Sequence, residues 1–249
     1  MIFVTGDIHG DPRRLNTKCF PEQKDMTRDD YVIILGDFGL VWDNSKEEKY
    51  WLDWLESKPF TLVFVDGNHE NFDLLNSYPV ISFHGGKAHQ IRDNIYHLIR
   101  GYVFNLDGED FFAFGGARSH DINILLNPEK DGIERTMREL NRANIFYRVK
   151  GYSWWEQEMP TDLEMWHGYE ELSAHDMKVD YVISHCAPQE VTSLMGYRDK
   201  DELKKYFSSL LGYGLQFKNW MFGHYHENKN IILHDARFTC IFEQIIRIK

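Results

Sequence analysis

Residues 2–10 read IFVTGDIHG, a short β-branched and aromatic run that ends abruptly in glycine and polar residues. This pattern is typical of a buried strand that leads into a functional loop. Four more stretches repeat it, each with Asp, Asn or His after an apolar run: 31–37 (YVIILGD), 61–70 (TLVFVDGNHE), 181–186 (YVISHC) and 219–226 (NWMFGHYH). Because ligands bind beyond the carboxyl ends of strands in open α/β sheets, we expect these five loops to meet at one site.

The rest of the chain indicates how these strands are connected. Residues 46–56 place apolar side chains at helical spacing beside charges, which predicts a helix between two strands. Three alternating runs separated by glycines predict antiparallel strands of a second sheet: 95–98, 102–106 and 111–114. The final run, 238–246, predicts a strand that closes a sheet.

A charged segment from about residue 127 to 177 lacks strand character, which predicts a helical insertion within a single domain that spans 1–249. In its second half, Thr161 and Glu164 have the spacing of a capping box at a helix start. We find no internal repeat or low-complexity linker that would mark a second domain.

Composition excludes several classes of protein. With 249 residues and 43% hydrophobic residues, the chain can bury one large core. The 28 basic and 39 acidic residues give a net charge of −11, so we do not expect long nucleic acids as partners. Three cysteines argue against a disulfide framework, and the chain shows neither a signal peptide nor an apolar run of about 20 residues. We therefore expect a cytoplasmic protein without a membrane partner; the oligomeric state stays open.

Residue types in the five loops suit metal ions. Asp7 and His9 lie two apart at a strand end, so in an extended backbone both side chains would point to one face and share a cation. Asp37 follows a glycine and offers two carboxylate oxygens, as a group that bridges two ions requires. His224 and His226 repeat the spacing with imidazoles, which suit transition metals. Each motif alone also has a plain structural explanation, such as a surface aspartate or a buried histidine pair.

The order of the motifs resembles the calcineurin-like metallophosphoesterase superfamily. The motifs are Asp-x-His, Gly-Asp, Gly-Asn-His-Glu, an isolated His and Gly-His-x-His, and they span Asp7 to His226. The resemblance implies a four-layer α/β/β/α sandwich of two mixed sheets flanked by helices. It also implies two divalent transition-metal ions as cofactors, with Mn, Fe and Zn as candidates.

The same resemblance implies roles for individual residues. One ion is assigned to Asp7, His9 and His226, the other to Asn68, His185 and His224, and Asp37 bridges the two. A hydroxide between the ions would be the nucleophile, and His69 would be the general acid that protonates the leaving group. The expected activity is hydrolysis of a phosphate-ester substrate.

The GDIHG and GNHE motifs resemble the protein serine/threonine phosphatase branch, but residues 36–42, GDFGLVW, depart from it. That branch has an aspartate and an arginine in this motif, and here Leu40 stands in the aspartate's place. Either Asp43 or Glu70 would therefore have to support His69.

Residues 114–121 (FGGARSHD) and 151–155 (GYSWW) are similar to a group of bacterial and phage-encoded metallophosphoesterases. Within them, Arg118 is a candidate phosphate clamp, with a solvated surface arginine as the alternative. Trp154 and Trp155 could stack on a substrate, but we favour the interpretation that they anchor the insertion to the core.

Two other functions stay open. A phosphodiesterase acting on nucleotides, cyclic nucleotides or nucleic-acid ends would fit the altered second motif and the paired tryptophans. A catalytically inert scaffold that binds metals or a partner is the alternative from another class, and the complete ligand set weighs against it. Six histidines without a recognised ligand context are expected to be structural or exposed: His84, His89, His97, His120, His167 and His175.

Overall fold

The computed structural model describes residues 1–120, 122–130 and 132–249, so Asp121 and Asp131 lie outside the described part. The strands are β1 (Ile2–Thr5), β2 (Tyr31–Leu35), β3 (Thr61–Val65), β4 (Val80–Phe83), β5 (Gly86–Arg92), β6 (Ile95–Leu98), β7 (Tyr102–Leu106), β8 (Glu109–Phe114), β9 (Leu125–Leu126), β10 (Arg148–Val149), β11 (Tyr181–Ser184), β12 (Asn219–Phe222), β13 (Lys229–Leu233), β14 (Ala236–Cys240) and β15 (Ile245–Arg247). The α-helices are α1 (Lys46–Glu56), α2 (Phe72–Leu75), α3 (Ile133–Arg142), α4 (Asp162–Ala174), α5 (Gln189–Met195) and α6 (Glu202–Gly212).

Two large mixed sheets form the framework. The first has the order β15-β1-β2-β3-β6-β5-β4, with β1, β2, β3 and β6 parallel and the outer strands antiparallel. The second has the order β13-β14-β12-β11-β8-β7, with its four central strands parallel. Strands β9 and β10 pair separately.

Alternation along the strands creates the layers. Ile33 belongs to the core between the sheets together with Ile183, whereas its neighbour Ile34 lies in an outer cluster with Leu55 of α1. On the second sheet, Val182 faces outward into a cluster that contains residues of α4, α5 and α6. Both faces of each sheet are therefore buried, as parallel strands require. The predicted four-layer sandwich of two mixed sheets flanked by helices is confirmed.

Two expectations about strand pairing were wrong. Ile95–Leu98, expected in the second sheet, is β6 and lies parallel to β3 in the first sheet. The final run does not form one strand, since it is divided at residues 241–244 into β14 of the second sheet and β15 of the first. Local alternation identifies a strand but not its partner, and both errors have this cause.

The predicted insertion contains two different parts. Helix α4 begins with the expected capping box, in which Thr161 and Glu164 bond reciprocally, and it buries Leu172 against the second sheet. Helix α3 buries none of its residues. The second half of the segment thus belongs to the outer helical layer, whereas α3 stays outside the core.

None of the helices in the described ranges is both long enough and apolar enough to cross a bilayer.

Candidate metal centre

The five predicted loops meet at one end of the sandwich. Strands β1, β2 and β3 are neighbours in one sheet, and β11 and β12 are neighbours in the other. All seven predicted ligands follow the carboxyl ends of these strands. The packing of the two sheets brings the two sets of loops together, which the contacts between Asp7 and the 224–226 loop show directly.

Asp7, His9 and His226 form one cluster of metal-binding atoms. His226 Nε2 lies 3.2 Å from Asp7 Oδ2 and 3.0 Å from His9 Nε2. Asp7 is fully buried, and its Oδ1 accepts a hydrogen bond of 3.0 Å from the His224 backbone N–H. One carboxylate and two imidazoles in contact form a donor set that suits a divalent transition metal.

A second cluster surrounds His185. Its Nε2 lies 3.2 Å from Asn68 Oδ1 and 3.4 Å from Asp37 Oδ1. Its Nδ1 donates to the Leu35 carbonyl at 2.7 Å, which leaves Nε2 free to bind a cation. The His224 ring lies beside it, with 4.9 Å between ring centroids. In the metal-free protein a proton on His185 Nε2 lies between the oxygens of Asn68 and Asp37, and a bound cation can take its place.

Asp37 connects the two clusters. Its Oδ1 faces His185, and its Oδ2 lies 3.8 Å from His9 Nδ1. Oδ1 also accepts a hydrogen bond of 2.8 Å from the His69 backbone N–H, which orients the carboxylate. The arrangement matches that of a bridging ligand, because each oxygen of Asp37 faces a different cluster.

The electrostatics of these residues favour a cation. Burial lowers the pKa of His185, but Asp37 and Asp7 more than offset this effect and raise it to about 10. The pKa of Asp37 lies well below its usual value, because the attraction of His185 outweighs the cost of burial. Burial lowers the pKa of His224 far below its usual range, which keeps its imidazole neutral and able to bind a metal.

Backbone geometry, not strand alternation, brings the ligands together. His9, Asp37, His224 and His226 have left-handed backbones, with φ of 44°, 47°, 66° and 51°. Such conformations are costly for residues other than glycine and cluster at functional sites. Our expectation that Asp7 and His9 share one face of an extended strand was therefore wrong. They converge because the chain turns sharply at His9.

Two glycines allow the ligand loops to approach closely. A methyl group on Gly67 would collide with Asp37 Oδ1, and one on Gly223 would collide with Asp7 Oδ1. The donor types and the attraction for positive charge fit divalent metal ions.

His69 stands at the edge of the centre, with its ring centroid 5.4 Å from that of His9. It lines a cavity of about 300 Å³ together with Asp37 and Asn68. Glu70 bonds to the turn after Asp37, because its carboxylate accepts the backbone N–H groups of Phe38 and Gly39 at 2.7 and 3.3 Å. Burial and the charge of Asp37 raise the pKa of Glu70 to about 8, against the effect of these two bonds. Asp43 bonds to the backbone of Ser45.

Arg118 is placed in a solvent-exposed ion pair, in which its Nη2 lies 2.8 Å from Glu202 Oε2. Its side chain is 54% exposed and does not contribute to the described lining of the cavity. An exposed pair of this kind contributes at most about 1 kcal/mol to stability. The geometry favours the solvated arginine over the phosphate clamp.

Neither Trp154 nor Trp155 is among the described residues that line the cavity. Trp155 is buried, donates its indole N–H to Asp73 Oδ2 at 2.8 Å and packs edge-on against Trp42. Trp154 is half-buried. These contacts agree with an anchoring role for Trp155.

His120, which we expected to be structural or exposed, is exposed and lies beside the centre. Its ring centroid is 4.5 Å from that of His224, and it lines the cavity with Tyr197 and Tyr225. Its position after β8, the neighbour of β11, brings it there. Only the strand order could have revealed this, because residues 114–121 do not contain a ligand motif. Asp121, the last of them, lies outside the described residues.

A second buried network supports the loop that carries Asn68. His89 Nδ1 lies 3.0 Å from His97 Nδ1, and His97 Nε2 lies 3.1 Å from Asp66 Oδ1. Arg100 Nε donates to Asp66 Oδ2 at 2.9 Å. Despite burial, Arg100 and His97 hold the pKa of Asp66 well below its usual value.

This network predicts a pH dependence of stability. Burial lowers the pKa of His89 to about 4, so below pH 6.5 the unfolded chain binds a proton that the folded chain resists. The free energy of unfolding should therefore fall with decreasing pH, by about 2 kcal/mol from His89 at pH 4.5. Denaturant unfolding of metal-free wild type and His89→Gln at pH 7 and 4.5 measures this difference. Parallel pH profiles for the two proteins would contradict it.

Two mixed sheets with a carboxylate–imidazole centre at their common edge define a metallophosphoesterase. The model of the calcineurin-like phosphoesterase family matches residues 1–228, so the chain belongs to that family. The resemblance inferred from the motifs is thereby confirmed. No curated protein matches the chain significantly. The matching solved structures include phosphopantetheinyl hydrolase (PptH) from Mycobacterium tuberculosis, at 14% identity and a TM-score of 0.41, over 97% of this chain and 89% of that one.

Proposed function

We propose that this metal-dependent phosphoester hydrolase acts on small phosphate monoesters at a centre of two divalent transition-metal ions. The observation that carries the proposal is the position of Asp37, whose Oδ1 faces His185 and whose Oδ2 faces His9. Asp7, His9 and His226 would hold one ion, and Asn68, His185 and His224 the other. Manganese, iron and zinc all suit these ligands.

When bound, such ions lower the pKa of a coordinated water and stabilise negative charge on the phosphoryl oxygens. The chain supplies two carboxylates, Asp7 and Asp37, against four positive charges. The centre therefore keeps a net positive charge, which attracts a phosphate group. Because Asp37 contacts both groups of ligands, it holds them at a fixed distance from each other.

His69 is the proposed proton donor. Its backbone N–H is fixed on Asp37 Oδ1 at 2.8 Å, and its imidazole lies on the cavity wall. An imidazole in this position can transfer a proton to the leaving oxygen as the ester bond breaks. His120 and Tyr197, also on the cavity wall, would contact the rest of the substrate.

The size of the cavity suits a small substrate. About 300 Å³ accommodates a phosphate with a compact leaving group. The net charge of −11 disfavours long nucleic acids. All three cysteines are free thiols, which supports a cytoplasmic, reducing environment as part of the proposal.

A phosphodiesterase is the second candidate. Among the described residues that line the cavity, none is a lysine or an arginine. A phosphate monoester dianion usually meets such a cation in addition to metals, whereas a diester carries one negative charge less. This feature of the cavity favours diesters.

Hydrolysis of paired chromogenic esters distinguishes the candidates. We expect metal-stripped protein to be inactive and turnover of p-nitrophenyl phosphate to return when manganese, zinc or iron is added. Turnover of bis-p-nitrophenyl phosphate should be slower under the same conditions. A strong preference for the diester would overturn the monoesterase proposal. Failure of every metal on both esters would leave either a very selective enzyme or the inert scaffold.

A further inference from the structure

We propose that Ser119 and Glu158 form a hydrogen-bond relay that orients the Asn68 amide and thereby sets the affinity of the metal position formed by Asn68, His185 and His224. The inference rests on the proposed two-metal site. It assigns a positioning role to two residues that do not themselves contact the ions.

The relay consists of three contacts. Asn68 Nδ2 donates to Ser119 Oγ at 3.1 Å. Ser119 Oγ donates to Glu158 Oε2 at 2.6 Å, and the Ser119 backbone N–H donates to Glu158 Oε1 at 3.0 Å. Glu158 is 2% exposed, so its carboxylate is directed at Ser119 and not at solvent.

Donor and acceptor chemistry gives the relay a direction. A carboxylate only accepts hydrogen bonds, so the Ser119 hydroxyl proton must point to Glu158. The remaining lone pairs on Ser119 Oγ can then accept only from the NH₂ end of Asn68. The Asn68 oxygen is consequently turned toward His185 Nε2, 3.2 Å away, where the cation is expected.

The backbone of Glu158 is fixed relative to the metal loops. Its carbonyl accepts the Ala117 N–H at 3.2 Å, and Arg100 Nη2 reaches the Gln157 carbonyl at 2.8 Å. The same guanidinium bonds to Asp66, two residues before Asn68. The carboxylate therefore has a defined position from which to orient the amide.

Burial raises the pKa of Glu158, and its bonds to Ser119 oppose that shift. A buried carboxylate is costly unless its partners satisfy it. The two bonds from Ser119 are the largest of the interactions that satisfy this carboxylate, and Trp154 and the charge of Arg118 add to them.

Metal affinity tests the relay without any assay of activity. We expect metal-free wild type to bind two Co²⁺ ions, measured by metal analysis and by visible absorbance in competition with a chelator. Ser119→Ala should lower the affinity for one of the two ions by about 10- to 100-fold and leave the affinity for the other unchanged. This is the usual effect of removing a hydrogen-bond partner of a metal ligand. Ser119→Thr keeps the hydroxyl and should restore the affinity.

Glu158→Gln and a serine control complete the experiment. Glutamine can donate a hydrogen bond to Ser119, so the hydroxyl no longer has one fixed direction and the affinity for the same ion should fall. The double variant Ser119→Ala with Glu158→Gln should lose no more affinity than either single variant. Ser153→Ala breaks a comparable bond, to the Val149 N–H at 2.9 Å, and should leave both affinities unchanged. Melting temperatures of the metal-free proteins report any loss of folding.

The outcomes separate the two proposals. If wild type binds two ions and Ser119→Ala binds both with unchanged affinity, the relay is wrong and the two-metal centre stands. If wild type itself does not bind two ions, the proposed centre fails and the relay fails with it.

Discussion

Replacement of Asp37 by asparagine should lower the metal-restored kcat/KM for p-nitrophenyl phosphate by roughly 10³-fold or more, a loss of about 4 kcal/mol of transition-state stabilisation. An asparagine has one acceptor oxygen, whereas Asp37 presents one to each cluster. Its NH₂ group would face either His9 or His185 and repel a cation there. We therefore expect the bound metal to fall from two ions to one or none.

The stability of the metal-free protein should not suffer from this substitution. Asp37 is 1% exposed, and its charge is opposed mainly by His185. Asparagine removes both the buried charge and the need to protonate His185, so the variant should stay folded. Thermal unfolding with and without metal should show that added metal stabilises wild type more than the variant.

Asp235→Asn is the matched control. Asp235 also has a left-handed backbone, with φ of 64°, and lies exposed in the turn between β13 and β14. The substitution removes the same charge on a similar backbone and should leave turnover and metal content unchanged. Full activity with two bound ions in Asp37→Asn would refute the bridging role.

The strands that carry the site could be predicted because the signal is local. An apolar run that stops at a glycine and a polar side chain marks both the strand and its functional end, as β1 and β2 show. The pairing of Ile95–Leu98 with β3 instead of the second sheet could not be predicted in this way. Strand pairing depends on contacts between distant residues, which alternation does not specify.

The site residues also divide into those that the sequence could predict and those that it could not. Ligand positions could be identified because few residue types bind metals, so their order along the chain is informative. His120, Ser119 and Glu158 could not be assigned, since a serine or a glutamate has many uses. Ser119 bonds to Glu158, which is 39 residues away along the chain, and local sequence patterns do not indicate such a contact. His9 and Asp37 adopt left-handed backbones although they are not glycines, and residue type alone does not indicate this conformation.

Replacement of His69 by asparagine should slow the hydrolysis of poor leaving groups far more than that of good ones. Phenol, with a pKa of about 10 as in tyrosine, needs a proton as it departs, whereas p-nitrophenolate leaves readily without one. A general acid contributes about 10²- to 10⁴-fold. We expect kcat to fall within that range for phenyl phosphate and by less than about tenfold for p-nitrophenyl phosphate.

This comparison distinguishes proton transfer from other uses of the imidazole. If His69 only bound the phosphoryl group, both esters would lose the same factor, because they share that group; such a result would overturn the general-acid role. Metal content must stay at two ions, since the bond from the His69 backbone to Asp37 does not depend on the side chain. His84→Asn is the control, because His84 has a similar left-handed backbone with φ of 45° and bonds to Tyr31 away from the described cavity lining. Both esters should react at the wild-type rate in that variant, so a selective loss in His69→Asn would locate the proton donor at His69.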